Sequence, residues 1–185
     1  MIAIAVGCTL LLGACSSGPD FENSFSLVDE QGNQVQFPES YRGRKLVLSF
    51  IYTHCPDVCL ATTARMIELR DRLGEENDAM FLSITLDPRR DSSSVLREYA
   101  RIQGIDTRNW HLLTGDKETL DSLFERMDVF YRTSFMQHGD DGTEVYFLDH
   151  SDIIAVMDSE GVVQAEFKGT ELDPDEVAEV IDEIS

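Results

Sequence analysis

The chain has 185 residues, of which 35 are Asp or Glu and 15 are Lys or Arg, so its formal net charge at pH 7 is −20. This charge argues against nucleic acid as a partner, because binding to phosphates needs a basic patch. Beyond the first two dozen residues, the remaining length is typical of one domain and is enough to bury a core without covalent or metal cross-links.

The N-terminal segment has the features of a secretory signal. Its first 14 residues are uncharged and mostly apolar, but the run is too short to span a bilayer as a permanent helix. The small residues before Cys15 and the Ser, Gly and Pro residues after it resemble the lipobox of bacterial lipoproteins, in which the cysteine is lipidated. We therefore predict a signal peptide over residues 1–14, lipidation of Cys15, a tether over 15–24 and a folded domain over 25–185. The expected location is extracytoplasmic, at a bacterial membrane and facing the periplasm or cell exterior; the alternative for the N-terminus is a buried strand or helix.

Strands and helices alternate through the first two thirds of the domain. A turn at residues 31–33 predicts an N-terminal hairpin, and two nearly continuous apolar runs predict strands buried on both faces. Helical spacing follows each of these strands, and Gly74 ends the first helix. The predicted order is hairpin (25–37), strand (45–52), helix (60–73), strand (79–86), helix (91–102), strand (110–113) and helix (117–127).

The last third is richer in strands. Its predicted elements are strands at 129–135 and 144–148 around an acidic loop (137–142), a hairpin of strands at 153–157 and 162–167, and a helix from Pro174 after a capping Asp173. Alternating strands and helices imply parallel pairing, whereas the late hairpin implies an antiparallel edge. The predicted fold class is therefore α/β, a thioredoxin-like mixed sheet flanked by helices. An N-terminal β-hairpin and an inserted loop or hairpin before the distal His150 complete it.

Cys55 and Cys59 would be the only thiols of the processed domain, since Cys8 would leave with the signal peptide and Cys15 would carry lipid. A structural disulfide gains mainly by closing a long loop, so a bridge across three residues would gain little. The pair is therefore predicted to serve chemistry. It would act either as a redox-active dithiol or as a site for a soft metal ion.

Cys55 is predicted at the point where a strand ends and a helix begins. Unpaired backbone N–H groups and the helix dipole there would lower the pKa of a thiol. If the intervening turn is helical, Cys59 lies on the same face as Cys55. Two thiolates suit Cu(I), and an added imidazole suits Cu(I) or Cu(II). Zinc is the other candidate, but a closed structural zinc site needs four protein ligands.

Four histidines compete for the place of a third ligand. His150, in a predicted turn between two strands, is the leading candidate. His54 would point away from a face shared by the cysteines, His111 is interpreted as a satisfied polar residue, and His138 lies in the acidic loop.

Two acidic residues are candidates for a supporting role beside the ligands. Asp57 falls in the first turn of the predicted helix, where the dipole favours an acid. Asp149 directly precedes His150 and is a candidate to orient its ring by a hydrogen bond. Neither residue is predicted to be a ligand.

Four segments resemble the Sco/SenC family. They are Tyr-Thr-His-Cys-Pro-Asp-Val-Cys at 52–59, Ile-Thr-Leu-Asp-Pro-Arg-Arg-Asp at 84–91, Leu-Thr-Gly at 113–115 and Asp-His-Ser at 149–151. The resemblance extends over most of the domain, and it implies a membrane-tethered, thioredoxin-like domain that binds copper. The family's copper ligands, two motif cysteines and a distant histidine, match Cys55, Cys59 and His150.

The resemblance also implies a role in assembling the copper centre of cytochrome c oxidase. The expected partner is subunit II of the oxidase or another copper-accepting protein. A thiol–disulfide reductase remains the alternative, with Cys55 and Cys59 as catalytic residues and cysteines of the oxidase subunit or of other extracytoplasmic proteins as substrates.

Overall fold

The computed structural model describes residues 24–74, 77–140 and 144–184. The predicted signal peptide, Cys15 and all of the predicted tether but its last residue lie outside the described residues. Within the described ranges, no helix is long and apolar enough to cross a membrane.

The described chain forms a seven-stranded sheet, a separate two-stranded sheet and four α-helices. In chain order the elements are β1 (Phe25–Asp29), β2 (Gln34–Phe37), β3 (Leu46–Ile51), α1 (Val58–Leu73), β4 (Met80–Thr85), α2 (Ser93–Gln103), β5 (Trp110–Thr114), α3 (Lys117–Arg126), β6 (Tyr131–His138), β7 (Glu144–His150), β8 (Ile153–Met157), β9 (Val163–Lys168) and α4 (Pro174–Glu183).

The large sheet is mixed, with the strand order β2-β1-β5-β4-β3-β8-β9. Strands β3, β4 and β5 pair in parallel, and the outer strands pair antiparallel. The predicted parallel centre and antiparallel edge are therefore confirmed. The N-terminal hairpin is also present, as β1 and β2.

Apolar side chains fill both faces of the central strands. Every residue of β3 and β4 is buried, and alternate residues of a strand point to opposite faces. Val47 accordingly packs in one cluster with Met66 of α1, while Leu48 packs in the other with Phe124 of α3. Burial of each such side chain contributes about 1.5–3 kcal/mol, so the centre of the sheet is a firm base for the loops that follow its strands.

Several element boundaries differ from those predicted. Helix α1 begins at Val58 rather than at residue 60. It ends at Leu73, and the C-cap that follows is Gly74, whose positive φ of 79° suits glycine. Strands β6 and β7 run further than predicted, to His138 and from Glu144 to His150. Part of the predicted acidic loop, residues 141–142, lies outside the described residues.

Strands β6 and β7 pair antiparallel and form a sheet of their own. This hairpin is the predicted insertion before the distal histidine, and β7 ends at His150. His150 therefore lies at the end of a strand and not in the turn that the sequence suggested.

Candidate metal centre

Three side chains from distant parts of the chain converge at one end of the sheet. Cys55 lies in the loop after β3, Cys59 lies in the first turn of α1, and His150 ends β7. One ligand atom from each lies within 4.8 Å of the other two, and Nε2 of His150 is 3.4 Å from Sγ of Cys59. Both thiols are free and buried. The structure thus brings together the three residues predicted as ligands.

The two thiols do not share one face of a helix. The loop turns before α1, where the N–H of Cys55 donates to the carbonyl of Tyr52 at 3.1 Å, and Asp57 occupies the N-cap position. The N–H of Cys59 donates to Sγ of Cys55 at 3.3 Å. A backbone N–H of the first helical turn therefore stabilises the Cys55 sulfur. Such an N–H is available because it has no hydrogen-bond partner within the helix.

The two thiols differ sharply in acidity. A hydrogen bond from Cys59 lowers the pKa of Cys55 to about 3, and although burial opposes this, contacts with His150 and with the N–H groups of Asp57 and Cys59 add to the lowering. The pKa of Cys59 is raised, because its thiol donates to Cys55 and is itself buried. The surroundings of the pair therefore favour the thiolate form at Cys55 over the thiolate form at Cys59.

The imidazole of His150 is held with one nitrogen towards the thiols. Its Nδ1 lies 2.8 Å from the carbonyl of Ser151, and since a carbonyl can only accept, Nδ1 carries the hydrogen and Nε2 faces the sulfurs. Burial alone would lower the pKa of His150, but hydrogen bonds with Cys55 and with the Ser151 carbonyl outweigh it, so the pKa is raised. A carbonyl acceptor on the far nitrogen is a common way of orienting a metal-ligating histidine.

The carboxylates predicted to support the ligands do not do so. Asp149 is wrong as the partner of His150, because neighbouring residues of a strand point to opposite faces; its carboxylate lies 3.4 Å from Arg132. The alternation of β7 would have revealed this had the strand been predicted to reach His150. Asp57 is exposed and makes no side-chain cap hydrogen bond, and it supports Cys55 through its backbone N–H.

Tyr52 connects the thiol loop to the strand that carries His150. Its hydroxyl donates to the carbonyl of Leu148 at 3.3 Å and accepts from the N–H of Leu148 at 3.2 Å. Its ring also meets the His150 ring edge-on, with centroids 5.8 Å apart. At this position of β7, the Tyr52 hydroxyl therefore makes the two hydrogen bonds that the backbone of a neighbouring strand would otherwise make.

Arg90 holds the same strand from the other side. Its guanidinium lies 3.6 Å from the centroid of the Tyr146 ring and donates to the Tyr146 carbonyl at 3.0 Å. It also pairs with Asp87, which accepts from the Tyr146 hydroxyl at 2.8 Å. The segment at 84–91 thus has a physical role that its sequence did not reveal, which is to fix β7 against the main domain.

Asp91 fixes the start of the thiol loop. Its fully buried carboxylate accepts from the N–H of Thr53 at 3.0 Å, from the Thr53 hydroxyl at 2.5 Å and from the Thr85 hydroxyl at 2.6 Å. Although it stands just before α2, the Asp91 carboxylate does not cap that helix, because it points into the core. Ser92 occupies the N-cap position.

The remaining histidines lie away from the three ligands. His54 is exposed and contacts the Thr53 hydroxyl at 3.0 Å. Nδ1 of His111 lies 3.0 Å from the Tyr41 hydroxyl, which matches its interpretation as a satisfied polar residue. His138 is exposed and lies 3.7 Å from Glu144.

A cleft of about 330 Å³ gives access to the site. Cys55 and His150 line it together with Pro56, Phe147 and Asp149. The sulfur of Cys55 and the imidazole can therefore be approached from one side of the molecule.

We expect alkylation of Cys55 by iodoacetamide to proceed at a nearly constant rate from about pH 5 to about pH 8, because its thiolate is already formed. An ordinary cysteine would speed up about tenfold per pH unit over this range. Mass spectrometry of the reduced protein at successive times gives the rate at each cysteine. Cys59→Ala, which removes the donor to Cys55, should restore a pH-dependent rate, whereas Cys59→Ser retains a donor. A tenfold rise per pH unit in the unaltered protein would contradict the assignment.

Comparison with known proteins adds to this geometry. Residues 14–185 match the protein-family model described as SCO1/SenC. The chain is 30% identical over 149 residues to the SCO2-like protein of Rickettsia conorii, covering 78% of this chain and 65% of that protein. It is 33% identical over 92 residues to the SCO1 protein homolog of Bacillus subtilis, covering 49% of this chain and 47% of that protein. The chain thus spans just under two thirds of the length of its Rickettsia relative.

Solved structures share the fold. The structure of Bradyrhizobium japonicum ScoI with copper bound superposes with a TM-score of 0.75 at 25% identity, covering 88% of this chain and 98% of that one. Yeast Sco1 with copper bound gives a TM-score of 0.74 at 24% identity, with coverages of 90% and 91%. A SCO1/SenC family lipoprotein from Bacillus anthracis gives 0.75 at 22% identity, with coverages of 91% and 97%. These likenesses confirm the predicted thioredoxin-like fold.

Proposed function

Because the chain belongs to the SCO1/SenC family, whose model matches residues 14–185, we propose that it is a copper-binding assembly factor for cytochrome c oxidase. Cys55, Cys59 and His150 would hold the copper ion. The ion is the cargo of the protein, delivered to the copper centre of subunit II of the oxidase or to another copper-accepting protein.

The convergence of two sulfurs and one imidazole nitrogen carries this proposal. With metal–sulfur bonds of about 2.3 Å, three ligands around one ion lie roughly 4 Å apart, and the three donor atoms lie within 4.8 Å of one another. Small side-chain adjustments would therefore complete a site. Soft thiolates with an imidazole suit copper. A closed zinc site would want a fourth ligand, and within the described residues the cluster contains three.

The protonation of the pair fits reversible loading. Cys55 offers a thiolate at once, and Cys59 would lose its proton as its sulfur binds the metal, because metal binding displaces protons from thiols. On delivery, each copper–sulfur bond that breaks would be replaced by a bond to an acceptor ligand. Such an exchange needs no electron donor, since the oxidation state of the ion does not change.

The location of the protein belongs to the same proposal. The acceptor centre would be reached from outside the cytoplasm, where a lipid on Cys15 would hold the domain at the membrane. Residues 1–14 would direct export, 15–24 would act as the tether and 25–185 as the copper-binding domain. The Cys15 segment itself lies outside the described residues.

A thiol–disulfide reductase is the second candidate, and the low pKa of Cys55 favours it. The Cys55 thiolate would attack a disulfide of a substrate protein, forming a mixed disulfide and releasing one substrate thiol. Cys59 would then give up its proton and attack Sγ of Cys55, freeing the second substrate thiol and leaving a Cys55–Cys59 disulfide. A dithiol reductant would have to restore the pair. Copper binding ranks above this role because the imidazole of His150 converges with both sulfurs, and the disulfide chemistry would not require it.

Addition of one equivalent of Cu(II) to the reduced protein tests the proposal. We expect intense thiolate-to-copper charge-transfer bands in the visible spectrum, and we expect Cys55→Ser and Cys59→Ser to lose them. The His138→Ala variant, altered at an exposed histidine, should keep them and serves as the control. If the protein instead forms a disulfide without such bands, the copper proposal fails and the reductase is favoured.

A further inference from the structure

Exposed apolar side chains are concentrated in and next to the β6–β7 hairpin. Five of the seven large hydrophobic side chains exposed among the described residues lie between positions 130 and 147: Phe130, Phe135, Met136, Val145 and Phe147. Contiguous exposed apolar surface commonly marks an interaction site. The chain has a net charge of −20, so a cluster of exposed apolar side chains differs from the rest of its described surface.

Strand register explains which of these side chains share a face. Tyr146 of β7 is buried against the domain, so its neighbours Val145 and Phe147 point outward. Phe135 pairs with Phe147 and Gln137 pairs with Val145, and the two phenylalanine rings lie 5.9 Å apart. We call the four residues Phe135, Gln137, Val145 and Phe147 the outer face of the hairpin.

The outer face is continuous with the cleft that leads to the thiols. Phe147 lines that cleft together with Cys55 and His150. An ion can pass between two proteins only if their ligands approach each other closely, so the acceptor must cover the mouth of the cleft. A partner seated there would also contact the hairpin.

Charges at the cleft indicate the chemistry of that partner. Three carboxylates line it, those of Asp57, Asp149 and Asp152, and its described lining contains no Lys or Arg. Arg132 lies 3.4 Å from Asp149 and offsets part of this charge, but the lining as a whole is negative. Like charges facing each other across an interface are costly, whereas opposite charges speed encounter and fix orientation. A partner with basic side chains around its contact area would fit.

We propose that the outer face of the hairpin is the docking surface for the copper-accepting protein, which presents an apolar patch bordered by Lys or Arg. Phe135 and Val145 enter the apolar centre of the contact, and the cleft carboxylates face the basic border. This inference rests on the proposed function and adds to it the surface and the chemistry of the partner.

Binding to an isolated acceptor domain tests the inference without copper. The probe is the copper-binding domain of subunit II from the source organism, titrated with the metal-free, reduced protein. Phe135→Ser combined with Val145→Ser should weaken binding about tenfold, as expected for loss of central apolar contacts, and added salt should weaken the binding of the unaltered protein. Ile102→Ser, at a side chain 63% exposed on α2, is the matched control and should bind normally.

Copper affinity and copper transfer separate this inference from the proposed function. The double variant should bind copper within about twofold of the unaltered protein, since neither side chain is a ligand, and it should transfer copper about tenfold more slowly at low concentration. Normal binding by the double variant, or no binding by the unaltered protein, would overturn the inference. Normal docking without copper transfer would instead overturn the proposed function.

Self-association is the competing use of an apolar face. Sedimentation of the unaltered protein and of the double variant distinguishes it. A dimer that the double variant abolishes, with unchanged binding to the acceptor domain, would assign the outer face to a second copy of this chain and overturn the inference.

Discussion

Replacing His150 with alanine is expected to weaken copper affinity by at least about 100-fold while the protein remains folded. Removing a residue that only orients a metal ligand lowers metal affinity about 10–100-fold. Removing a ligand itself should therefore lower the affinity by about 100-fold or more. His150 is half-buried at the end of β7, and its removal leaves the apolar core of the domain untouched. Competition titration against a coloured Cu(I) chelator measures the affinity.

The matched control for this variant is His138→Ala, in the same hairpin but away from the ligand cluster, which should bind copper normally. The same pair of variants separates the two proposed functions. A reductase would keep its activity in His150→Ala, because the chemistry would reside in Cys55 and Cys59. Unchanged copper affinity in His150→Ala would remove the histidine from the site.

The largest expected effect on stability comes from Asp91→Ala. This change leaves the backbone N–H of Thr53 and the hydroxyls of Thr53 and Thr85 without their buried acceptor. Each hydrogen bond to a charged group contributes about 1.5–3 kcal/mol, and buried donors left unpaired add to the cost. We expect the free energy of unfolding to fall by about 3 kcal/mol or more, measured by urea denaturation.

A surface carboxylate provides the comparison for Asp91. Glu98 pairs with Arg101 on the exposed side of α2, and exposed pairs contribute less than about 1 kcal/mol. Glu98→Ala should therefore be nearly neutral, and Asp91→Asn, which keeps the shape and one acceptor oxygen, should fall between the two. Equal stabilities of Asp91→Ala and Glu98→Ala would mean that the Asp91 network does not stabilise the fold.

The predictable parts of this protein are those that depend on local pattern. Strands β3 and β4 are buried on both faces, so their apolar runs are unbroken and easy to recognise. Cys55 and Cys59 follow β3 directly, which places them at the edge of the sheet. The resemblance of four short segments to a known family then selected His150 from four histidines.

The residues that escaped prediction act through partners far away in the sequence. Asp91 stands before a helix, where an acid is usually a cap, and its true partner Thr53 is 38 residues distant. Arg90 gave no sign that its guanidinium would stack on Tyr146, because charged residues are rarely buried. A bulge between Thr133 and Phe135 shifts the pairing of β6 with β7, and no pattern in the sequence announces it.

Because the two sheets are separate, the three ligands should release a bound copper ion in a definite order. Both thiols belong to the part of the domain built on the large sheet, whereas the imidazole belongs to the β6–β7 hairpin. Hydrogen bonds from side chains such as Tyr52 and Arg90 hold this hairpin against the large sheet, and among the described residues no strand pairing joins the two. Units of this kind open at lower free energy than the core around them. Dissociation should therefore begin at the imidazole and leave an ion held by two sulfurs, with a vacant position that an incoming ligand can take.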